Sequence, residues 1–297
     1  MKTDFCLGLS EEGFHQIAYT EWGMESSQPP IICLHGLTRN SRDFDTLATR
    51  LSYLGRHVFC PDLVGRGESS WLKNPLHYSF EQYMADMNAM IVRTGAKQVD
   101  WVGTSLGGLI GMFLAAMPNT PIRRLILNDV GAQISSKGVM RLANFAGLDP
   151  SFRSIEEAKN YYKRVMTEVG ELTDEDWQRI AENSVREVTP GKFISKTDPN
   201  IRMSHAKSKV AWQAIMHPLK TLEGSLFDMD WWNIWRKVTC PTLIMHGEKS
   251  DILLPSVIQK MRVIHPATEV ITISNVGHAP ALIHPEQHET IYNWLQS

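Results

Sequence analysis

The sequence lacks the features that mark several protein classes. Its four cysteines are scattered and form no C-x-x-C pair, so neither a disulfide framework nor a thiolate metal site is indicated, and a reducing compartment is favoured. No apolar run reaches the roughly 18 residues that a transmembrane helix needs, and the first residues contain no signal-peptide core. We therefore expect a cytoplasmic protein without a membrane span.

An excess of charge of either sign is also missing. The chain carries 30 Lys and Arg against 32 Asp and Glu, which leaves no basic signal for nucleic acid or anionic membrane. Hydrophobic residues make up 43% of the 297 residues and charged residues 21%, the composition of a folded globular chain. This length accommodates one large α/β domain with an insertion.

Short apolar segments alternate with amphipathic ones in the first part of the chain. The predicted strands are 15–22 (an edge strand), 31–34, 57–60, 99–102 and 124–128, and the predicted helices are 41–54, 79–94 and 106–117. Fully apolar runs of this length are typical of strands buried on both faces. The alternation therefore predicts a mostly parallel sheet flanked by helices.

The alternation stops after Gly131 and resumes after about Arg236. Between these points the pattern is helical, and beyond them it predicts strands at 242–246 and 270–273 and helices at 255–264 and 285–295. We therefore predict an α/β core formed by residues 1–130 and 237–297. A helical lid at 131–236 interrupts this core.

The strongest motif lies between the predicted strand at 99–102 and the next helix. Residues 103–107 are G-T-S-L-G, which fits the G-x-S-x-G pattern of a nucleophile elbow, a serine on a tight strand-to-helix turn. Gly103 and Gly107 allow strand and helix to approach closely. The start of the helix supplies free N–H groups and partial positive charge. We predict that Ser105 is a nucleophile.

A serine nucleophile needs a base and an orienting acid. His278 follows the last predicted strand, at the sheet edge where α/β folds bind ligands, and we predict that it is the base. Two aspartates qualify as the acid: Asp251 follows the predicted strand at 242–246, and Asp129 follows that at 124–128. Both preserve the order Ser, Asp, His, so these residues alone leave the choice open.

Backbone N–H groups are predicted to stabilise the oxyanion of an acyl-transfer reaction. One belongs to Leu106, directly after the nucleophile, and the other to Leu37, in the loop after the strand at 31–34. His35 in that loop is predicted to brace it. The candidates for substrate binding are Trp231, Trp232 and Phe145 in the lid, although a thin helical layer must also bury apolar side chains of its own.

Together these motifs resemble the α/β-hydrolase superfamily. The matching residues are His35-Gly36, the D-L-x-G-x-G-x-S loop at 62–69, the elbow at 103–107, Gly247 with Asp251, and Gly277-His278. The resemblance covers 14–130 and 237–297 and implies the α/β-hydrolase fold. In that family the acid usually follows the strand after the lid, which favours Asp251. Some dehalogenases carry it one strand earlier, so Asp129 remains the alternative.

The resemblance implies a serine hydrolase of the carboxylesterase type. Ser105 would attack an ester, lactone or thioester carbonyl, with His278 as base and Asp251 as orienting acid, and water would hydrolyse the acyl-enzyme. The alternatives are a C–C bond hydrolase or lyase on the same scaffold and a hydrolase-like ligand-binding receptor. No metal or organic cofactor is implied, and the expected partner is a small, uncharged ester-type substrate.

Overall fold

A central β-sheet organises the fold. The computed structural model of the chain describes residues 1–135, 138, 150–201 and 229–297. Its strands are β1 Lys2–Ser10, β2 Gly13–Trp22, β3 Ile31–Leu34, β4 Val58–Pro61, β5 Val99–Thr104, β6 Ile122–Asn128, β7 Gln133–Ile134, β8 Ser151–Phe152, β9 Val185–Thr189, β10 Lys192–Ser195, β11 Met229–Asp230, β12 Thr242–Gly247 and β13 Thr268–Ile273. Its helices are α1 Asp45–Tyr53, α2 Phe80–Arg93, α3 Leu106–Ala115, α4 Ile155–Val165, α5 Asp174–Ser184, α6 Trp232–Trp235, α7 Pro255–Ile264 and α8 Pro285–Gln296. Within these ranges no helix has both the length and the apolar character needed to cross a membrane.

Eight strands form the main sheet, in the order β1-β2-β4-β3-β5-β6-β12-β13. The pairs β1–β2 and β2–β4 are antiparallel, and every pair from β4 to β13 is parallel. Parallel strands bring their carboxyl ends to one edge of the sheet, so the loops after β3, β5, β6, β12 and β13 meet there. The predicted α/β-hydrolase fold with a mostly parallel sheet is confirmed.

Helices cover both faces of this sheet. One face packs against α2, α3 and α7, with Met87, Ile110 and Met261 in the shared core. The other face packs against α1 and α8, where Leu47 and Ile291 are fully buried. Burial of one such side chain contributes on the order of 2 kcal/mol. The two apolar layers therefore hold the parallel strands in place and fix the edge at which their loops meet.

The sequence prediction omits β1 and places β2 at the edge of the sheet. The structure shows β1 as the edge strand and β2 between β1 and β4. The outward side chains of β1, Phe5, Leu7 and Leu9, are 49%, 56% and 61% exposed. The opposite face carries the small residues Cys6 and Gly8. This strand therefore lacks the apolar-in, polar-out pattern from which strands are predicted.

Residues 131–236, here called the insertion, contain strands as well as helices. The strands β9 and β10 pair antiparallel, and β8 adds to β10. This small sheet and the helices α4 and α5 share an apolar cluster that includes Phe152, Trp177 and Val185. The helical pattern predicted for this segment therefore does not hold at 185–195, where the structure has a hairpin.

Candidate active site

Ser105 stands in the tight turn between β5 and α3, where the motif predicts it. Its φ of 52° and ψ of −114° are uncommon for a residue with a side chain. Glycine is needed at both flanks: a Cβ on Gly107 would lie 2.1 Å from the backbone oxygen of Leu34, and one on Gly103 would lie 2.4 Å from the Gly107 backbone. The N–H of Ser105 donates to the Asn128 oxygen at 3.0 Å, which ties the turn to β6.

His278 connects Ser105 to a carboxylate. The Ser105 hydroxyl donates to Nε2 of His278 over 2.9 Å, and Nδ1–H donates to Oδ2 of Asp129 over 2.8 Å. The histidine comes from the loop after β13, and its side chain is 7% exposed. These distances are within reach for proton transfer from the hydroxyl to the ring.

The carboxylate that is hydrogen-bonded to His278 belongs to Asp129, the alternative candidate, and not to the favoured Asp251. Asp129 follows β6 directly and is fully buried. Asp251 lies farther along the loop after β12 and is half-buried, and its backbone oxygen accepts a hydrogen bond from the Ser135 hydroxyl at 2.7 Å. The end of β12 and the loop after it contribute hydrogen-bond donors to the site, and the carboxylate comes from the residue after the neighbouring strand β6.

Donors from the end of β12 and from the loop after it hold the Asp129 carboxylate. The Gly247 N–H donates to Oδ1 at 2.9 Å and the Ser250 hydroxyl to Oδ2 at 2.6 Å, while Nδ1 of His246 lies 3.4 Å from Oδ1. Burial by itself would raise the pKa of this carboxyl, but hydrogen bonds from His246, His278 and Ser250 outweigh it and hold the pKa below its ordinary value. Asp129 is therefore a charged acceptor for the imidazole.

Two residues of this site are missing from the sequence prediction, Ser250 and Asn128. The Ser250 hydroxyl donates to the Asp129 carboxylate. The Asn128 side chain donates to the Thr104 hydroxyl, next to Ser105, and to the Pro280 backbone oxygen, two residues after His278. The signal that could have found Asn128 is a polar residue directly after the apolar run Leu125–Leu127, at the ligand-binding edge of the sheet. Ser250 carries no comparable signal, because serine is common in any loop.

Both predicted oxyanion donors lie next to Ser105 in the chain or in space. Leu106 is the first residue of α3, so its N–H has no acceptor within the helix. Leu37 lines the same cavity as Ser105. A Cβ on the adjacent Gly36 would stand 3.6 Å from the Ser105 Cβ, so the Gly36–Leu37 peptide passes directly beside the serine.

His35 fixes the orientation of that peptide. Its Nδ1–H donates to the Gly36 oxygen at 2.7 Å, and its Nε2 accepts from the Leu63 N–H at 3.0 Å. Since carbonyl and N–H point in opposite directions in a trans peptide, holding the Gly36 oxygen also sets the direction of the Leu37 N–H. Burial lowers the pKa of His35 to about 3, so the ring stays neutral. These contacts agree with the bracing role predicted for His35.

Ser105 and His278 open into a cavity of about 210 Å³. The insertion contributes a largely apolar part of the wall, formed by Tyr161, Tyr162, Val165, Met166, Val169 and Ile180. Arg39 also lines the cavity, paired with Asp43 and donating to the Ser184 hydroxyl at 2.9 Å. The site can therefore hold a small, mostly aliphatic molecule against the serine.

Trp231 and Trp232, two of the predicted substrate-binding residues, are not among the described residues that line this cavity. The Trp231 ring packs edge-on against Phe113 of α3, with centroids 6.3 Å apart. Trp232 donates to Gln133 at 3.2 Å and lies under the Lys260 ammonium. Both rings pack the end of the insertion against the core, because α3 and α7 present apolar surface there. The third candidate, Phe145, lies outside the described residues.

No group of three or more His, Cys, Asp or Glu side chains in the described part of the chain is arranged to hold a metal ion. His284 caps the start of α8, and Nε2–H of His288 donates to the Leu282 oxygen at 2.8 Å. These two histidines, four residues apart, therefore stabilise the start of α8 through hydrogen bonds.

Known proteins share this fold over nearly the whole chain. The family model for the alpha/beta hydrolase fold matches residues 29–285, and the chain belongs to this family of enzymes. It is 35% identical over 286 residues to the 3-hydroxybutyrate-oligomer hydrolase of Cupriavidus necator, and this alignment covers 95% of this chain and 94% of that protein. A proline iminopeptidase of Lactobacillus helveticus is 25% identical over 255 residues, covering 84% of this chain and 83% of that protein. The crystal structure of a protein from Rickettsia typhi aligns with a TM-score of 0.87 at 30% identity, covering 100% of this chain and 99% of the other.

Proposed function

We propose that this chain hydrolyses carboxylic esters through an acyl-enzyme on Ser105. The observation that carries the proposal is the hydrogen-bonded series from Ser105 Oγ through both ring nitrogens of His278 to Asp129, with distances of 2.9 Å and 2.8 Å. Ser105 and His278 lie in the wall of the cavity described above, and Asp129 is buried behind them. A hydroxyl, an imidazole and a carboxylate in this order form a nucleophile, its base and the group that orients the base.

In the acylation step, Ser105 Oγ attacks the ester carbonyl carbon while Nε2 of His278 takes the hydroxyl proton. Asp129 keeps the proton on Nδ1, so that Nε2 is the free acceptor, and its charge stabilises the imidazolium that forms. The N–H groups of Leu37 and Leu106 donate to the oxyanion of the tetrahedral intermediate. When the intermediate collapses, the imidazolium gives its proton to the departing alcohol.

Deacylation repeats these steps with water as the nucleophile. The neutral His278 takes a proton from a water molecule, which attacks the acyl carbon bound to Ser105. The same oxyanion donors stabilise the second intermediate, and the serine leaves with the proton from His278. The products are an alcohol and a carboxylic acid, and the enzyme returns to its starting protonation state.

The proposed substrates are short linear oligoesters of the 3-hydroxybutyrate type. The support is the 35% identity, over 95% of the chain, to an enzyme named for the hydrolysis of 3-hydroxybutyrate oligomers. Such an oligomer is uncharged around each ester carbonyl and carries a carboxylate at one end. Its aliphatic backbone suits the apolar wall formed by Val165, Met166 and Val169.

The insertion at 131–236 is proposed to act as a lid that shapes the substrate cavity. It contributes Tyr162 and Ile180 to the wall, and the Thr197 hydroxyl donates to the Thr38 oxygen at 3.0 Å. Thr38 follows the proposed oxyanion donor Leu37. The insertion is thus joined to the loop that would stabilise the reacting oxygen, and it excludes water from that side of the cavity.

The direct test compares the wild type with Ser105→Ala on the dimer and trimer of 3-hydroxybutyrate, with release of the monomer as the readout. The wild type is expected to release monomer, and the variant is expected to lose on the order of 10⁶-fold in kcat. Ser27→Ala is the matched control, because Ser27 is an exposed loop residue, and it should keep full activity. Melting curves of all three proteins establish that each is folded.

Two results would contradict the proposal. A folded Ser105→Ala variant that releases monomer at the wild-type rate would remove Ser105 from the chemistry. If the wild type hydrolyses neither the oligomers nor simple aryl esters but cleaves a prolyl arylamide, the activity is that of a peptidase and not of an esterase.

A further inference from the structure

The buried side chain of Asn128 links the two segments that carry Ser105 and His278. One N–H of its amide donates to the Thr104 hydroxyl oxygen at 3.0 Å, and the other donates to the Pro280 oxygen at 2.9 Å. Thr104 precedes Ser105 in the chain, and Pro280 follows His278 by two residues. Because a carbonyl can only accept, the amide nitrogen must face Pro280, and both of its hydrogens are used.

The backbone of the same residue reaches the remaining parts of the site. The Asn128 oxygen accepts the Ser105 N–H at 3.0 Å, and the next residue is Asp129. One fully buried residue is thus joined, directly or through residues at most two positions away, to the nucleophile, the base and the acid. Its side chain touches neither the reacting atoms nor the substrate, but it can set the distance between Ser105 and His278.

The loop that carries His278 is held from the side of the insertion by backbone hydrogen bonds. The Gly277 N–H donates to the Glu168 oxygen at 2.7 Å, and the Ala281 N–H donates to the Val169 oxygen at 3.0 Å. From the side of the sheet, Asn128 donates to Pro280 within this loop. Removal of the Asn128 amide would leave the buried Pro280 oxygen without this donor and allow the loop to shift toward the insertion.

We propose that Asn128 is a positioning residue that holds Ser105 and His278 at the distance at which the proton can pass between them. This inference rests on the proposed function, because a distance matters only if the proton is transferred. A displacement of about 1 Å between reacting groups can lower a rate on the order of 100-fold. The expected defect is therefore in kcat and not in substrate affinity.

The test uses Asn128→Ala, which removes the amide, and Asn128→Leu, which removes it but fills its space. Both variants are expected to lower kcat by about 10- to 100-fold with KM within about threefold of the wild type. Thr242→Val is the matched control, because it also removes a fully buried hydrogen bond to a carbonyl, that of Cys240 at 3.2 Å, at the opposite edge of the sheet. It should leave kcat unchanged.

Two further readouts separate positioning from a general loss of stability. The rate of inactivation by a fluorophosphonate should fall in parallel with kcat in both Asn128 variants, and the pH dependence of kcat/KM should change. Neither should change in Thr242→Val, even if its melting temperature falls by a similar amount.

Folded Asn128 variants with kcat close to that of the wild type would overturn the inference. So would a loss of activity that only follows the unfolded fraction, with an unaltered pH profile. Failure of the proposed function would be distinguishable, since it would appear in the wild type as absent ester turnover or as turnover that survives Ser105→Ala.

Discussion

Oδ2 of Asp129 lies 2.8 Å from Nδ1 of His278, although 149 residues separate the two in the chain. The contact puts the carboxylate after β6, one strand nearer to the nucleophile than the position favoured by the family resemblance. The strands β6 and β12 pair in parallel, with Asn128 opposite Met245, so their loops start side by side. The last residue of β12 then supplies the Gly247 N–H, and the loop after it supplies the Ser250 hydroxyl, to the Asp129 carboxylate.

Asp129→Asn is expected to lower kcat by about 10⁴-fold, because the amide cannot stabilise an imidazolium and can hold His278 in the wrong tautomer. Asp251→Asn makes the same chemical change in the adjacent loop and is expected to keep most of the activity. Steady-state kinetics on variants with normal melting curves make the comparison. A folded Asp251→Asn that loses its rate while Asp129→Asn keeps it would reverse the assignment.

Ser250→Ala tests how the acid is held. A hydrogen bond to a charged group contributes roughly 1.5–3 kcal/mol, so we expect a lower free energy of unfolding and a kcat reduced by about tenfold. Because the Ser250 hydroxyl helps to keep the pKa of Asp129 low, its removal should shift the acid-side loss of activity to higher pH. Urea unfolding and a kcat/KM profile measure both effects.

Ser250→Thr keeps a hydroxyl at this position and should restore much of the wild-type profile. If Ser250→Ala keeps the kcat and the pH profile of the wild type, the hydrogen bond to Asp129 has no part in catalysis.

Much of the fold is predictable from local sequence because β3 and β4 are fully buried apolar runs and β5 and β6 are rich in buried apolar residues. β1 is not predictable in this way: Phe5, Leu7 and Leu9 are on its exposed face, so the pattern of apolar residues points away from the core. The hairpin of β9 and β10 is similar, since most of the residues of β9 are exposed. Such strands are determined by backbone pairing with a neighbouring strand, β2 for β1 and β10 for β9, and not by the burial of an apolar face.

The residues of the candidate site also fall into those that local sequence predicts and those that it does not. Ser105 and His278 are predictable because each lies in a short glycine-bearing motif whose backbone geometry needs those residues. The acid is not, because Asp129 and Asp251 follow adjacent parallel strands and both preserve the order of the three residues. Only the hydrogen bonds to the Asp129 carboxylate from the Gly247 N–H and the Ser250 hydroxyl, which depend on the path of the chain at the end of β12, separate the two.

His35 is expected to make folding sensitive to acid. Burial depresses its pKa to about 3 in the folded chain, against about 6.5 in the unfolded chain. As the pH falls from about 6.5 toward 3, the unfolded chain takes up a proton that the folded chain does not, so the stabilising contribution present above pH 6.5 is lost in this window. The difference in unfolding free energy between the wild type and His35→Gln should therefore shrink between pH 7 and pH 5.

The comparison with His35→Gln is needed because Asp62 acts in the opposite sense. Burial raises the pKa of Asp62 to about 6, so its contribution is present below about pH 3.8 and is lost as the pH rises through 6. That contribution is common to both proteins and cancels in the difference. A difference that does not change with pH would show that His35 is not held neutral by burial.

Met166→Trp tests the wall of the cavity. Met166 lines the cavity beside Ser105, so a larger ring there should raise KM for the 3-hydroxybutyrate trimer much more than KM for a short acetate ester. Trp231→Phe is the control, because Trp231 packs against Phe113 instead of the cavity. It should change stability and leave both KM values as they are. Equal changes in KM for the two substrates in Met166→Trp would place the substrate elsewhere.

A covalent acyl-enzyme on Ser105 can be detected by mass spectrometry of the protein quenched in acid during turnover of an activated 3-hydroxybutyrate ester. We expect an intact mass raised by one acyl group, an adduct located on the peptide that contains Ser105, and no adduct in Ser105→Ala. We also expect an initial burst of released alcohol that matches the concentration of enzyme when deacylation is the slower step. An adduct on another residue, or complete turnover without any adduct from the earliest quench times onward, would refute an acyl-enzyme on Ser105.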